Sequence, residues 1–315
     1  MWSAFTMLLK KKLLNAVAGL AVALALPATA YAQAAPAQPA AAAATKDADP
    51  ALWVVKDADT TIYLFGTVHV LKPGLSWFDE AVKAAFDKSD TVALEMVMPD
   101  PATMQGVIMK AAMAPQTDPA LTTKLPEASR PAYAAALTSV GMPASALDRF
   151  EPWFAAMTLA MAPLPKLGYD PNSGAEMTIT AAAKAANKQL IGLETFEQQI
   201  GFFDTMPEDL QVKYLASTVK EFNNVGPLLD KMVAQWSAGD PDALGKTMNE
   251  EMRKTPEVGK ILLSDRNARW ADWISARMAK PGTVFIAVGA GHLAGNDSVQ
   301  AYLAKHNLKA ERIQY

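Results

Sequence analysis

The sequence predicts an α/β fold with a mostly parallel central sheet, an N-terminal hairpin and two helical insertions. Two apolar segments support this prediction, residues 61–66 and 283–289, because each is rich in β-branched and aromatic side chains and ends in glycine. Continuous apolar runs of this kind are typical of strands covered on both faces. Each run is followed, three residues after its glycine, by a histidine: His69 and His292. The sequence therefore places both imidazoles at the carboxyl ends of buried strands.

Residues 1–32 have the pattern of a secretory signal peptide. Three lysines precede the apolar run 13–26, and the small-residue ending Ala30-Tyr31-Ala32 follows it. The run is shorter than the about 20 residues that a membrane-spanning helix needs, so cleavage is favoured over the alternative of a membrane anchor. We therefore expect a periplasmic or secreted protein that begins at Gln33 and has no stable membrane span after cleavage.

The remainder has the composition of one linker and one folded domain. Residues 33–49 are mostly alanine, proline and glutamine, which predicts a flexible linker, and residues 50–315 are the predicted domain. The chain has no cysteine, which excludes disulfides, cysteine nucleophiles and thiolate metal sites. Without residues 1–32 it carries 26 basic and 32 acidic side chains, and this acidic balance gives no support for nucleic acid as a partner.

The predicted domain opens with a β-hairpin. Residues 52–56 and the first histidine strand flank a turn at residues 57–60, and two strands so close in sequence pair antiparallel. The first strand of this hairpin is expected at the edge of the sheet.

A strand–helix–strand unit follows the hairpin. Residues 76–88 have helical periodicity with Ser76 as the expected cap, and the strand 91–95 comes next. Such a unit forms a parallel crossover, so Glu95 should end its strand on the side where His69 ends its own.

Two helical blocks, residues 100–186 and 196–280, interrupt the sheet. Between them, residues 189–194 form a short apolar strand that ends on Glu194, and residues 308–314 form the last predicted strand. Helical periodicity is clearest in three segments: 130–140, 153–161 and 298–306.

Four polar residues, His69, Glu95, Glu194 and His292, each close a separate predicted strand. Open parallel sheets bind ligands at the carboxyl ends of their strands, so these side chains are expected to converge. Two imidazoles and two carboxylates suit a divalent metal ion with open coordination positions, in a mononuclear or a two-metal hydrolytic site. The alternative for each residue alone is a strand-end histidine with satisfied hydrogen bonds, or a helix-capping glutamate.

Arg266 lies in the middle of the apolar stripe of the helix predicted around residues 262–278. A buried guanidinium needs an anion, which is a core carboxylate such as Glu194, a substrate anion or a developing oxyanion. Arg269 lies at the flank of the same stripe, where we expect it to be solvated.

One competing motif is the dinucleotide fingerprint Gly289-x-Gly291-x-x-Ala294, which follows a strand and has Glu311 twenty residues after Gly291. In a nucleotide site the acidic residue stands at the end of a strand. Glu311 falls within a predicted strand instead, so this reading is disfavoured.

The motifs together resemble the TraB/GumN family, which is related to the Tiki proteins. The resemblance extends over about residues 50–315 and rests on these segments: Gly66-Thr67-Val68-His69, Ala93-Leu94-Glu95, Leu193-Glu194-Thr195, Arg266-Asn267 and Gly289-Ala290-Gly291-His292. It implies an α/β fold akin to erythromycin-esterase-like and haem-binding ChaN-like proteins. The Tiki branch implies metal-dependent proteolysis.

The resemblance also implies roles for single residues. The family's two histidines correspond to His69 and His292, its strand-end glutamate to Glu95 and its arginine to Arg266. We expect His69, His292 and Glu95 to hold a divalent ion (Mn, Co or Zn). We expect Glu194 to be the base or a further ligand, and Arg266 to stabilise an oxyanion. Gly66, Gly289 and Asn267 belong to the same motifs. The segment Gly168-Tyr169-Asp170 resembles a family loop that usually reads Gly-Val-Asp, so Asp170 and the unusual Tyr169 are expected beside the site.

The expected function is a metal-dependent hydrolase of the cell envelope, with a metal-activated water attacking the carbonyl of a peptide or small-molecule substrate. The alternative is a non-catalytic periplasmic protein that uses the same histidines to bind haem or a metal ion.

Overall fold

The computed structural model describes residues 45–252 and 255–315. The predicted signal peptide and most of the predicted linker lie outside the described residues. Within the remainder of that linker, Lys46–Asp47 (β1) pairs in parallel with Leu75–Ser76 (β4), and Ala48 is buried. The folded part therefore extends a few residues further towards the amino end than residue 50.

Six strands form the central sheet, and the prediction of a mostly parallel sheet is confirmed. They are β2 (Leu52–Lys56), β3 (Thr60–Thr67), β5 (Thr91–Leu94), β6 (Gln189–Gly192), β7 (Gly282–Gly289) and β8 (Glu311–Ile313). Their spatial order is β6-β5-β7-β3-β2-β8. Strands β6, β5, β7 and β3 are parallel neighbours, whereas β2 runs antiparallel to both β3 and β8.

The predicted hairpin is confirmed as the β2–β3 pair, but the prediction that β2 lies at the sheet edge is wrong. Leu52 pairs with Ile313, so β8 covers β2 and forms the edge itself. β8 has only three residues, and so short a pattern does not indicate in the sequence which strand it pairs with.

Strands β3 and β7 pair in parallel along their whole length, from Thr60 with Gly282 to Thr67 with Gly289. Because the register is continuous, the two glycine-histidine motifs leave the sheet side by side. This pairing is the feature of the fold that positions the candidate site.

Thirteen described helices surround the sheet: α1 (Glu80–Lys88), α2 (Pro101–Ala112), α3 (Leu121–Lys124), α4 (Arg130–Ser139), α5 (Pro152–Met161), α6 (Ala175–Ala185), α7 (Phe196–Asp204), α8 (Glu208–Glu221), α9 (Val225–Ser237), α10 (Pro241–Met252), α11 (Pro256–Gly259), α12 (Asp265–Arg277) and α13 (Val299–Lys305). A π-helical segment, Lys260–Ser264, joins α11 to α12. No helix within the described ranges is long and apolar enough to cross a membrane.

The first helix begins later than predicted. Ser76 belongs to β4, and its hydroxyl donates to the side chain of Asp79. Asp79 takes the N-cap position of α1 without a side-chain cap bond, so the expected capping by Ser76 is not found.

Apolar side chains alternate between the two faces of the sheet. Phe65 and Phe285 pack on one face against α1, α6 and α9, whereas Leu64 and Ile286 pack on the other against α12 and α13. The helical insertions enclose a third cluster around Trp153. Both faces of the sheet are thus buried, as the continuous apolar runs predicted.

Gly66 allows a close contact at the end of β3. A Cβ atom there would lie 3.0 Å from the Cα of Ala290, in the turn that follows β7. The carbonyl of Gly66 accepts a hydrogen bond from Trp236 Nε1 at 2.7 Å, which ties α9 to the same strand end. A side chain at position 66 would push this turn away from the sheet.

Candidate functional site

The predicted convergence at the carboxyl ends of the strands is found. His69 follows β3, Glu95 follows β5, Glu194 follows β6 and His292 follows β7. Arg266, in the first turn of α12, contacts Glu95, Glu194 and His292.

Arg266 is the centre of a buried charge cluster. Its Nη2 lies 2.7 Å from Glu95 Oε2 and 2.7 Å from Glu194 Oε2, and its Nε lies 3.0 Å from Glu194 Oε1. Gln199 Nε2 donates to both carboxylates at 3.1 Å. The arginine is only 7% exposed, so two carboxylates and one guanidinium share a site almost without water.

The ionisation of Glu95 is set by these neighbours. Burial alone would raise its pKa, but the Arg266 guanidinium, together with His69 and the hydrogen bond from the Gly289 N–H, holds the pKa of Glu95 well below its usual range. Burial likewise opposes the charge of Arg266, yet Glu95 and Glu194 raise the pKa of the guanidinium. Glu95 and Arg266 are therefore both charged.

Gly289 is the point where the strand ends meet. Its N–H donates to Glu95 Oε1 at 2.7 Å. A Cβ atom at this position would lie 3.1 Å from Glu95 Oε1 and 3.3 Å from His69 Nε2. Only a residue without a side chain therefore leaves room between this carboxylate and this imidazole.

His292 is buried in a 3₁₀ turn, Ala290–Leu293, and each ring nitrogen has a partner. Asn267 Nδ2 donates to the carbonyl of Asp297 at 2.6 Å, so Asn267 Oδ1 is the acceptor that faces His292 Nδ1 at 2.5 Å. We therefore assign the proton to Nδ1, and Nε2 accepts from Arg266 Nη1 at 3.2 Å. Burial, with the charges of Arg266 and His69, lowers the pKa of His292 to about 3. This imidazole is neutral in the folded protein.

The neutral state of His292 predicts acid lability. The unfolded chain protonates this residue below pH 6.5, whereas the folded chain does so only near pH 3. The unfolded state then binds more protons, so stability should fall as the pH decreases through this window. The test is to measure the melting temperatures of wild type and His292→Gln between pH 6.5 and pH 4.5, in the presence of a chelator. Glu95 stays ionised in this range, so its titration does not contribute to the change.

The variant isolates the contribution of one residue. The pKa of His69 is raised by folding, so its protonation at low pH favours the folded state. This contribution is the same in both proteins because both contain His69. His292→Gln should therefore show a smaller loss of stability on acidification than wild type. An equal change of melting temperature with pH in the two proteins would contradict a neutral, buried His292.

His69 is oriented by a residue that the sequence analysis missed. Its Nδ1 lies 2.5 Å from Glu176 Oε1, and Thr67 Oγ1 donates to the same carboxylate oxygen at 2.5 Å. Burial opposes both charges, but the Glu176 carboxylate raises the pKa of His69, and His69 in turn lowers the pKa of Glu176. The imidazole is thus held through Nδ1, with Nε2 beside Gly289.

Asp170 does not line the site. It is exposed, and its carboxylate accepts from the backbone N–H and the side chain of Asn172, both at 2.9 Å. Tyr169 is buried, donates to Asp230 at 2.7 Å and is not among the residues that line the cavity described below. The segment Gly174-Ala175-Glu176 has the same spacing of glycine and acid, and that repeated spacing was the available signal for Glu176.

The cluster forms the floor of a cavity of about 390 Å³, which is within the range of small-molecule sites. His69, Glu95, Glu176, Arg266 and His292 line the floor. Apolar side chains from the loop after β5 and from α6, α7, α9 and α10 form most of the walls. The site therefore combines a charged floor with apolar walls.

The site contains side chains of the types that bind divalent ions, two imidazoles and a carboxylate. Each imidazole is held through Nδ1, by Glu176 or by Asn267, which is how protein scaffolds orient histidine ligands. His292 Nε2 lies 3.7 Å from Glu95 Oε1. Arg266 competes for the same atoms, and within residues 45–252 and 255–315 no three His, Asp or Glu side chains stand arranged to hold a metal ion.

The dinucleotide fingerprint does not form a nucleotide site. Residues 290–293 form a 3₁₀ turn instead of the start of a helix, and the side chain of Met248 covers Gly291. Glu311 lies in β8, which is separated from β7 by β3 and β2. Glu311 is therefore not placed where a ribose would bind.

Comparison with known proteins identifies relatives without an assigned activity. An uncharacterized protein of Treponema pallidum (strain Nichols) is 22% identical over 271 residues, which cover 81% of this chain and 80% of that protein. The uncharacterized protein YbaP of Escherichia coli (strain K12), and that of Shigella flexneri, are 29% identical over 151 residues, or 48% of this chain and 55% of YbaP. No solved structure matches the chain. The profile of the TraB/PrgY/gumN family matches residues 51–312, and the chain therefore belongs to this family.

Proposed function

We propose that this protein is a metal-dependent hydrolase that cleaves a carbonyl-containing bond, such as a peptide bond. One observation carries the proposal. The imidazoles of His69 and His292 are both held through Nδ1 beside one cavity, and Glu95, at the end of the neighbouring strand β5, lines the same cavity. Two imidazoles and one carboxylate with an adjoining cavity are a common donor set of catalytic metal sites.

In this proposal His69, His292 and Glu95 hold the ion, for which Mn²⁺, Co²⁺ and Zn²⁺ are the candidates. A bound ion of this kind supplies a water molecule that is deprotonated near neutral pH. Glu176 and Asn267 fix the orientation and tautomer of the two imidazoles.

Arg266 and Glu194 have complementary roles in the proposal. Arg266 lines the cavity floor and carries the positive charge that would stabilise an oxyanion formed from the substrate carbonyl. Both oxygens of Glu194 accept hydrogen bonds from Arg266. We therefore assign Glu194 to positioning Arg266, in preference to the role of base or ligand.

Calorimetry of the purified protein with Mn²⁺, Co²⁺ and Zn²⁺ tests the metal site. Wild type should bind at least one of these ions, and the His69→Ala/His292→Ala double variant should lose that binding. His306→Ala is the matched control, because His306 lies at the end of α13 and pairs with Asp272 at 3.0 Å. Equal affinity of wild type and the double variant would refute the site.

A second pair of variants separates the two candidate acids. Glu176→Gln should weaken metal binding by about 10- to 100-fold, since it removes the carboxylate that orients His69. Asp170→Asn should leave the affinity unchanged because Asp170 is exposed and lies outside the cavity lining.

The second candidate function is non-catalytic binding of haem or a metal ion. The observation in its favour is that two imidazoles adjoin a cavity whose walls are mostly apolar. A haem titration discriminates the two functions. A shift of the Soret band that depends on His69 or His292 would favour a binding protein over the hydrolase.

We also propose that the protein is exported to the periplasm or secreted, on the pattern of residues 1–32 alone. The native protein should then begin at Gln33, which N-terminal sequencing determines. An intact Met1 in the membrane fraction would instead show an anchored protein.

A further inference from the structure

The walls of the site cavity contain an unusual number of methionines. Five of them line it, from the loop after β5 and from α6, α9 and α10: Met96, Met98, Met177, Met232 and Met248. Methionine is unbranched and polarizable, and it adapts its shape to a flexible apolar ligand. The lining therefore suits a chain with many conformations better than one rigid ring system.

Charge is confined to one end of this cavity. Among the described lining residues, every ionisable side chain belongs to the floor around Arg266, and the walls are apolar apart from Thr180. A sugar, a nucleotide or a charged peptide would lose its hydration at these walls without finding hydrogen-bond partners. An alkyl chain has no hydrogen bonds to water to lose there, and its transfer from water to the apolar walls is favourable in free energy.

We infer that the cavity binds a single aliphatic acyl chain of medium length, with the carbonyl carbon of that chain at the charged floor. The volume of about 390 Å³ is near the lower end of the range for ligand sites, which fits one chain and not a two-chain lipid. This inference rests on the proposed function and specifies its substrate as an acyl ester or acyl amide.

The reaction implied is a hydrolysis in which water adds to the acyl carbonyl and the carbon–oxygen or carbon–nitrogen bond breaks. One proton of the water passes to the leaving alcohol or amine, and the products are a carboxylic acid and that alcohol or amine. No oxidant, reductant or further reactant is required.

Binding is tested without reference to activity, by fluorescence titration of the purified protein with dansyl-labelled undecanoic acid. The probe should bind with one site per chain and should be displaced by octanoic acid but not by acetic acid. Met232→Lys, which puts a charge on the half-buried wall, should weaken binding by at least about tenfold. Met113→Lys is the control, since Met113 is 43% exposed and lies outside the cavity lining.

Leu229→Trp is a second test that adds no charge. It fills part of the wall, so it should shift the preferred competitor from octanoic acid to a shorter acid. Absence of probe binding, or equal weakening by Met232→Lys and Met113→Lys in proteins that melt like wild type, would overturn the inference.

A chain-length series of p-nitrophenyl esters, from acetate through octanoate to palmitate, separates this inference from the proposed function. With the metal present, kcat/KM should rise about fourfold for each added methylene up to the medium chains and then fall. Hydrolysis with equal kcat/KM for all chains would overturn the acyl site and leave the hydrolase standing. Probe binding without hydrolysis of any ester would overturn the hydrolase and leave the acyl site standing.

Discussion

Replacing Arg266 with methionine is expected to destabilise the protein by about 3 to 5 kcal/mol, because the change leaves a buried negative charge without its partner. The guanidinium donates to Glu95 and Glu194 at 2.7 Å, and both carboxylates are largely buried. Methionine has a similar length, so the loss would come from charge more than from packing. Melting and denaturant titration of wild type and variant measure the effect.

Arg269→Met is the matched control for this change. Arg269 is on the same helix but its side chain is 51% exposed, and it lies 3.6 Å from Glu194. Because the Arg269 side chain is half exposed and Glu194 keeps its closer partner Arg266, the control should melt close to wild type. Adding Glu194→Gln to Arg266→Met should restore part of the stability, because it removes one of the two uncompensated charges.

Arg266 also lines the cavity, so the same variant tests its role in catalysis. Losing one group that stabilises an oxyanion typically lowers turnover by about 10² to 10³. A variant that melts much earlier yet keeps full metal-dependent turnover would show that Arg266 is only a structural partner of Glu95 and Glu194.

Replacing Gly174 with alanine is expected to disturb both stability and the site. A Cβ atom at Gly174 would overlap the carbonyl oxygen of His69 and would lie 2.8 Å from the carbonyl carbon. One of the two segments must move, and such overpacking costs about 1 to 3 kcal/mol. His69 would move relative to Glu95 and His292, and a displacement of about 1 Å can lower activity by about 10².

Gly201→Ala is the control, because nothing lies within 4 Å of a Cβ atom at Gly201 in α7. This change should stabilise the protein by about 0.5 to 1 kcal/mol, since alanine loses less conformational freedom in a helix. Melting temperature and metal affinity are read for both variants. Unchanged values for Gly174→Ala would show that the loop carrying His69 adapts freely.

The sequence was sufficient for the residues that stand at strand ends. An apolar run that ends in glycine, or in a charged residue as at Glu95, shows both that a strand is buried and where it stops, so His69, Glu95 and His292 could be placed together. Helical periodicity similarly placed Arg266 in a buried stripe. The apolar run and the helical stripe are both local patterns. Each arises because the buried positions of one element lie close together in the sequence.

Residues that reach the site from helices packed over the strand ends were not predictable in this way. Gln199 and Glu176 lie on α7 and α6, and their contacts depend on how these helices pack against the sheet. The motif that predicts Asp170 is short, and Glu176 is placed beside His69 only by the packing of α6 against the loop after β3. The position of β8 beside β2 likewise depends on tertiary pairing.

The pairing of β3 with β7 has a consequence for how the protein folds. Thr60 meets Gly282 only after the chain has closed a loop that contains both helical insertions, and the entropy cost of closure grows with loop length. Contacts of such high sequence separation slow folding. Before β7 pairs with them, β3 and β5 would expose unpaired edges that can join other chains, so a partly folded chain that lacks β7 would be prone to aggregate.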